Sequence, residues 1–148
     1  MIDVTRMSFP TDMIVGPGAT AELPTEVKKL GGTKVLLVSD PGLVQAGIVQ
    51  RVEAVLSAAK IPCARYTGVS KNPIEIDVLE GVESFHANEA DLIVGLGGGG
   101  PMDVAKAIRL KVTHPLPLAE YDDLKNGADR IDADQPPIIT IPTTAGTG

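Results

Sequence analysis

The densest chemistry-bearing pattern in the chain is GLGGGGPMD, where Gly95, Gly97 and Gly100 stand in G-x-G-x-x-G spacing between an apolar run and a helical segment. Glycines at such a turn leave no Cβ between a ligand and the backbone N–H groups. The helix that follows adds unpaired N–H donors and the positive end of its dipole. An anion, phosphate above all, is the guest that Gly97, Gly98, Gly99 and Gly100 would hold; the competing explanation is a tight turn that only packs a helix onto a sheet. The pattern falls at about the fourth strand-to-helix turn, whereas the ordinary dinucleotide fingerprint opens the first and is followed ~20 residues later by a ribose-binding acid. Glu120 and Asp122 lie near that distance but follow HPLPLA, a poor strand.

Pro101 suits the first helical position, where a missing N–H costs nothing, and this places Asp103 at about the third. Asp103 and Lys106, at i and i+3, share one helical face; they form either a surface ion pair or part of a ligand cleft. Asp40, between VLLVS and PGL, is either an Asx-type turn residue or a carboxylate at a strand's carboxyl end that accepts from a ribose diol and repels a 2′-phosphate. Thr143, Thr144 and Thr147 in PTTAGTG follow the last strand, where α/β proteins collect ligands, or they belong to a generic loop. His86 and His114 share no ligand spacing and read as helix-surface or loop histidines, and Cys63 sits in a predicted strand with no His pairing suggested. The pattern therefore assigns no catalytic residue and no metal ligand.

The elements that must position these residues follow from periodicity. Strands are predicted at 34–39, 63–68, 91–96 and 137–142, and helices at 19–31, 42–60, 74–89 and 101–113. Residues 114–136 are rich in Asp and Pro and read as a long loop with one helical turn around 117–124. LLV and LIVGL are apolar without alternation, as strands buried on both faces are, so a doubly wound α/β domain with a parallel sheet is predicted. With 148 residues, 43% of them hydrophobic, the chain matches one domain with one core. Its net charge of −6 argues against nucleic acid or an anionic membrane as partner. A single cysteine points to a reducing compartment, with cytoplasm as the default. Asp3, Arg6 and Asp12 interrupt any signal-like apolar run, and no run approaches a membrane span. The chain closes on IPTTAGTG, where a sheet protein would continue, so a longer natural protein is expected.

Five blocks in order, VGPGATAEL (15–23), VLLVSDPGL (35–43), KNPIEIDVLEG (71–81), ADLIVGLGGGGPMDVAKAI (90–108) and IITIPTTAGTG (138–148), resemble the N-terminal half of the iron-containing (group III) alcohol dehydrogenase family. The resemblance implies that residues 1–148 form a Rossmann-like, doubly wound, mostly parallel sheet with helices on both faces, the dehydroquinate-synthase-like N-terminal domain. It also implies a C-terminal helical domain beyond residue 148 that holds a divalent metal, iron or zinc, through one Asp and three His. Asp40 would contact the adenosine ribose, Asn72 would lie by the cofactor, Gly97 to Gly100 would hold the pyrophosphate, Thr143, Thr144 and Thr147 would line the nucleotide site, and Asp103 would face the cleft. The cofactor would be NAD, with NADP possible, the substrate a small alcohol or carbonyl compound, and the assembly a dimer joined through the N-terminal strand. Gly100 departs from the family's usual serine, which removes a hydroxyl and keeps the backbone donors. A glycerol dehydrogenase or sugar-phosphate cyclase branch of the same superfold is the alternative, as is a non-catalytic nucleotide-binding module if the chain ends at Gly148.

Overall fold

A computed structural model describes residues 5–8, 11–132 and 134–145. In chain order the elements are β1 (Thr5–Ser8), β2 (Asp12–Val15), α1 (Leu23–Lys29), β3 (Val35–Val38), α2 (Pro41–Gln45), α3 (Ile48–Ala58), β4 (Cys63–Tyr66), α4 (Glu75–Ala87), β5 (Leu92–Gly97), α5 (Gly99–Thr113) and β6 (Ile138–Pro142). Four strands form one parallel sheet in the order β4-β3-β5-β6. The unalternating runs have the reason predicted for them. Val35 and Leu37 of β3, with Leu92, Val94 and Leu96 of β5, face Val27 of α1 and Val49, Val52 and Leu56 of α3. Leu36, Val38 and Ile93 face Val78 and Phe85 of α4 and Val104, Ala105 and Ile108 of α5. A strand that feeds two cores cannot afford a polar face.

The helices on the second face sit unusually close. A Cβ at Gly95 would stand 2.8 Å from Ala105 Cβ, and one at Gly81 would stand 2.2 Å from Ile108 Cδ1. Gly95, the first glycine of the G-x-G-x-x-G match, therefore serves the packing of α5 on β5.

Two expectations are corrected, the helix over 42–60 and the single turn in 114–136, and one strand pairing is added. The single helix predicted over 42–60 is two, α2 and α3, because Gly47 takes a left-handed φ of 72° and turns the chain between them. β1 and β2 pair antiparallel, Thr5 opposite Val15 through Ser8 opposite Asp12, which the sequence reading did not anticipate. His114 stands in the loop just past α5, one of the two places the sequence offered for it, and is buried there at 5% exposure. Its Nε2 accepts the Asp132 N–H at 3.1 Å, so Nδ1 carries the proton toward the Leu110 carbonyl at 3.1 Å. It thereby anchors the polar segment 114–136, which holds three short 3-10 turns, Leu118–Tyr121, Asp123–Lys125 and Gly127–Arg130, where one turn was predicted.

At the amino edge of the sheet, α1, α3 and α4 end alike. Gly32 N–H donates to Val27 O, Ile61 N–H to Leu56 O and Ala90 N–H to Phe85 O, each beside a bond from the preceding residue to the carbonyl three positions back, which is the Schellman pattern. The preceding residues are Gly31, Lys60 and Glu89, all at positive φ. A side chain there costs about 1–2 kcal/mol, and glycine's greater unfolded-state entropy offsets part of that. Lys60→Gly and Glu89→Gly should each raise the unfolding free energy by about 0.5 kcal/mol, read as a higher urea midpoint at unchanged slope. A lower midpoint in both would show that their side chains contribute more than the backbone strain removes.

Candidate functional site

The chain leaves β3 for β4 in one direction across the sheet and leaves β5 for β6 in the other. The carboxyl ends of β3 and β5 are therefore the topological switch point, the crevice where open α/β sheets bind ligands. Here β3 passes into the Asp40 turn and α2, and β5 passes into the glycines and α5.

Ser39, fully buried, closes the space between the two strand ends. Its hydroxyl donates to the Leu96 carbonyl at 2.9 Å and its N–H donates to the Tyr66 carbonyl at 2.9 Å. Asp40 follows as the cap of α2, with Oδ1 accepting the Leu43 N–H at 3.0 Å. The turn-residue reading of Asp40 therefore describes its local bonding, and the residue stands half-buried at the crevice.

Each glycine of the run has its own surroundings. Gly97 has φ 153°, and a Cβ on it would lie 2.7 Å from Pro101 Cγ and 3.4 Å from Leu43 Cδ1. A Cβ at Gly98 would meet Thr144 Oγ1 at 3.4 Å, and one at Gly100 would meet Pro73 Cγ at 3.2 Å. At Gly99 nothing lies within 4 Å. The Thr143 N–H donates to the Gly97 carbonyl at 2.9 Å, joining the end of β6 to the same turn. One edge of the sheet thus gathers Asp40, Asn72 beside Pro73, Gly97 to Gly100, Thr143 and Thr144; Thr147 lies outside the described residues.

The start of α5 corrects the sequence reading. Gly98 is the cap and Gly99 the first helical residue, so Pro101 is third and Asp103 fifth. Pro101 still stands among the first four positions, whose N–H groups have no partner within a helix. Met102 N–H bonds back to Gly98 O at 3.3 Å, which leaves the Gly98, Gly99 and Gly100 N–H groups as the donors at the helix start. Asp103 pairs with Lys106 at 3.2 Å, and both side chains are largely exposed. The ion-pair reading is the one observed, and such a pair contributes little to stability.

Sequence reasoning missed Ser39 and Asp77. Asp77 is 3% exposed, and its carboxylate accepts the N–H groups of Ser70 and Ile74, both at 3.1 Å, and the Ser70 hydroxyl at 3.0 Å. Burial pushes its pKa up, but the bonds from Ile74 and Ser70 outweigh burial and hold it below the ordinary carboxylate range. Asp91, at the opposite edge, accepts the Thr33 hydroxyl and the N–H groups of Thr33 and Lys34 and is lowered against burial in the same way. An acid at the third position of a helix was the signal available for Asp77. Cys63 offers no nucleophile: burial first, then the Glu53 charge, push its thiol up to about 11.

A model of iron-containing alcohol dehydrogenases matches residues 10–148. The chain belongs to this family. It is 40% identical over 144 residues to lactaldehyde reductase of Escherichia coli (strain K12), covering 96% of this chain and 37% of that protein. It is 39% identical over 140 residues to choline dehydrogenase of Bacillus subtilis (strain 168), covering 95% and 35%. Among solved structures, a 1,3-propanediol oxidoreductase superposes with a TM-score of 0.81 at 33% identity, covering 99% of this chain and 37% of that one. Sulfoacetaldehyde reductase from Bifidobacterium kashiwanohense, in complex with NAD+, gives 0.75 at 28% identity, covering 89% and 34%. The chain thus spans about a third of the relatives it matches. Among the described residues no three His, Cys, Asp or Glu side chains come together as metal ligands, and no helix is long and apolar enough to cross a membrane.

Because the folded-state pKa values of Asp77 and Asp91 are depressed, their stabilising contribution is complete above the unfolded carboxylate value near pH ~4 and is lost as pH falls through the folded values. Denaturant midpoints of the native protein should be flat from about pH 7 to 5 and drop steeply below about pH 4. Asp91→Asn should lower the neutral-pH midpoint and flatten that drop. An unchanged acid limb in the variant would mean that Asp91 does not contribute to it.

Proposed function

We propose that this chain supplies the dinucleotide site of an NAD(P)-dependent alcohol dehydrogenase that interconverts a small alcohol with its aldehyde or ketone by hydride transfer. The observation that carries the reading is the open space at Gly99. Gly97, Gly98 and Gly100 each have a protein neighbour that a Cβ would approach, whereas Gly99 has none and stands exposed in helical backbone, where glycine is a poor helix former. Packing gives no reason for a glycine there. A ligand laid directly on the backbone does.

In this reading the pyrophosphate takes the N–H groups of Gly99 and Gly100, with the turn shaped by Gly97 and Gly98. The Asp40 oxygen not bonded to Leu43 accepts the adenosine ribose hydroxyls. Asn72, Thr143, Thr144 and Thr147 line the nucleotide, with Asp103 at the rim. The bound nicotinamide supplies the hydride chemistry, and this chain's residues bind and orient it. The described residues do not fit the family's metal, so a metal site is assigned to none of them. NAD is preferred over NADP because the Asp40 carboxylate repels a 2′-phosphate. The presence of NAD+ in a solved relative supports the cofactor class.

Gly99→Val tests the site directly, because the side chain enters space the protein leaves empty. NADH fluorescence titration of the native protein should show binding weakened at least about tenfold, with the thermal midpoint almost unchanged. Full affinity in a folded Gly99→Val protein would sink the proposed site. Asp40→Ala should narrow the ratio of NADP to NAD dissociation constants by about tenfold or more; NADP bound more tightly than NAD by the unaltered protein would overturn the stated preference.

A further inference from the structure

The loop between β4 and α4 is closed by one carboxylate. Asp77 Oδ2 accepts the N–H groups of Ser70 and Ile74, and Oδ1 accepts the Ser70 hydroxyl, so both ends of the segment 70–74 converge on a single buried side chain. The backbone carbonyl of Asp77 accepts the Tyr66 hydroxyl at 2.7 Å, which fixes this knot to the end of β4, and Val69, 1% exposed, seats the loop in the core. Capping α4 needs only the bond to Ile74; the two bonds to Ser70, seven residues back, hold the loop. Its apex, Lys71 to Pro73, is exposed, and the Pro73 ring reaches to 3.2 Å from the point where Gly100 would carry a Cβ. Asp77 touches neither the glycines nor the crevice, yet it sets where the wall beside them stands.

We propose that Asp77 is a positioning residue for dinucleotide binding: by clasping Ser70 to Ile74 it holds Asn72 and Pro73 against the Gly99–Gly100 turn before a ligand arrives. The inference rests on the dinucleotide reading above. A wall ordered in advance spares the ligand the entropy of ordering it, and that saving appears as affinity. Asparagine at position 77 keeps the size, and its amide oxygen still meets the two N–H groups while its NH2 meets the Ser70 hydroxyl, but three bonds to a carboxylate become weaker neutral ones, so the clasp loosens while the core stays filled.

The test compares NADH dissociation constants, by fluorescence titration of the native protein, for the unaltered sequence, Asp77→Asn and Asp91→Asn. Asp91→Asn breaks a comparable carboxylate network at the opposite edge and serves as the control for lost stability alone. Asp77→Asn should bind about tenfold more weakly, while Asp91→Asn should stay within about twofold. Pro73→Gly, at the apex, adds a readout that general destabilisation would not move: if Asp77 acts through the loop, the double variant binds about as weakly as the weaker single variant. Unchanged affinity in Asp77→Asn, equal losses in both aspartate variants, or additive effects with Pro73→Gly would overturn the positioning role alone. An unaltered protein that binds no NADH would instead overturn the dinucleotide reading and this inference with it. Should Asp77→Asn fail to fold, Ser70→Ala removes one of the three bonds and should weaken binding about two- to threefold; no change there would equally reject the role.

Discussion

Where β3 and β5 part, their chains leave for opposite faces of the sheet, and the ladder between them ends at Val38 opposite Gly95. The Leu96 carbonyl stands just past that point, in a core where an unpaired acceptor costs about 1–3 kcal/mol. The buried Ser39 hydroxyl supplies the missing donor. That bond lets the strands diverge without leaving a hole in the hydrogen bonding, and it holds the turn carrying Asp40 at a set distance from the turn carrying Gly97. The other parts of the carboxyl edge lean on this pair: Leu43 on Gly97, Thr143 on the Gly97 carbonyl, Thr144 beside Gly98 and Pro73 beside Gly100.

The glycine run is not one device. Gly95 admits α5 to the sheet, Gly97 combines a positive φ with the press of Pro101, and Gly98 and Gly100 make room for Thr144 and Pro73. Only Gly99 has no protein reason for its type. A regular-expression match cannot separate these duties, because they depend on which helix or loop is folded against each position. Of the two glycines that the literal G-x-G-x-x-G pattern skips, Gly98 and Gly99, it is Gly99 that faces open space.

The parallel sheet was legible because strands buried on both faces must be apolar throughout, and Leu36 with Leu37 shows this in two adjacent residues serving two cores. The glycine turn was legible from its place after a strand and before a helix. The split at Gly47 was not, since Val44, Ile48 and Val52 keep helical spacing across a left-handed residue that spacing cannot report. β2 was missed because its residues bury little here: Met13 and Val15 are 39% and 51% exposed, so there is no one-sided pattern to read. Ser39 and Asp77 escaped for a different reason. Each acts through a partner remote in sequence or across a loop, and a lone Ser or Asp carries no mark of that partner.

The three helix endings at the amino edge bear on how freely this fold can change. One conformational position, left-handed and following a helix, is filled by glycine once, lysine once and glutamate once. The fold tolerates that latitude because the buried residue after each turn, not the turn residue, makes the core contact. The edge that accepts such variety is the one farthest from the crevice, so stability can drift or be engineered there without the usual trade against activity. Variation at one edge and constraint at the other would let a single scaffold carry different working temperatures while its ligand-facing turn stays the same.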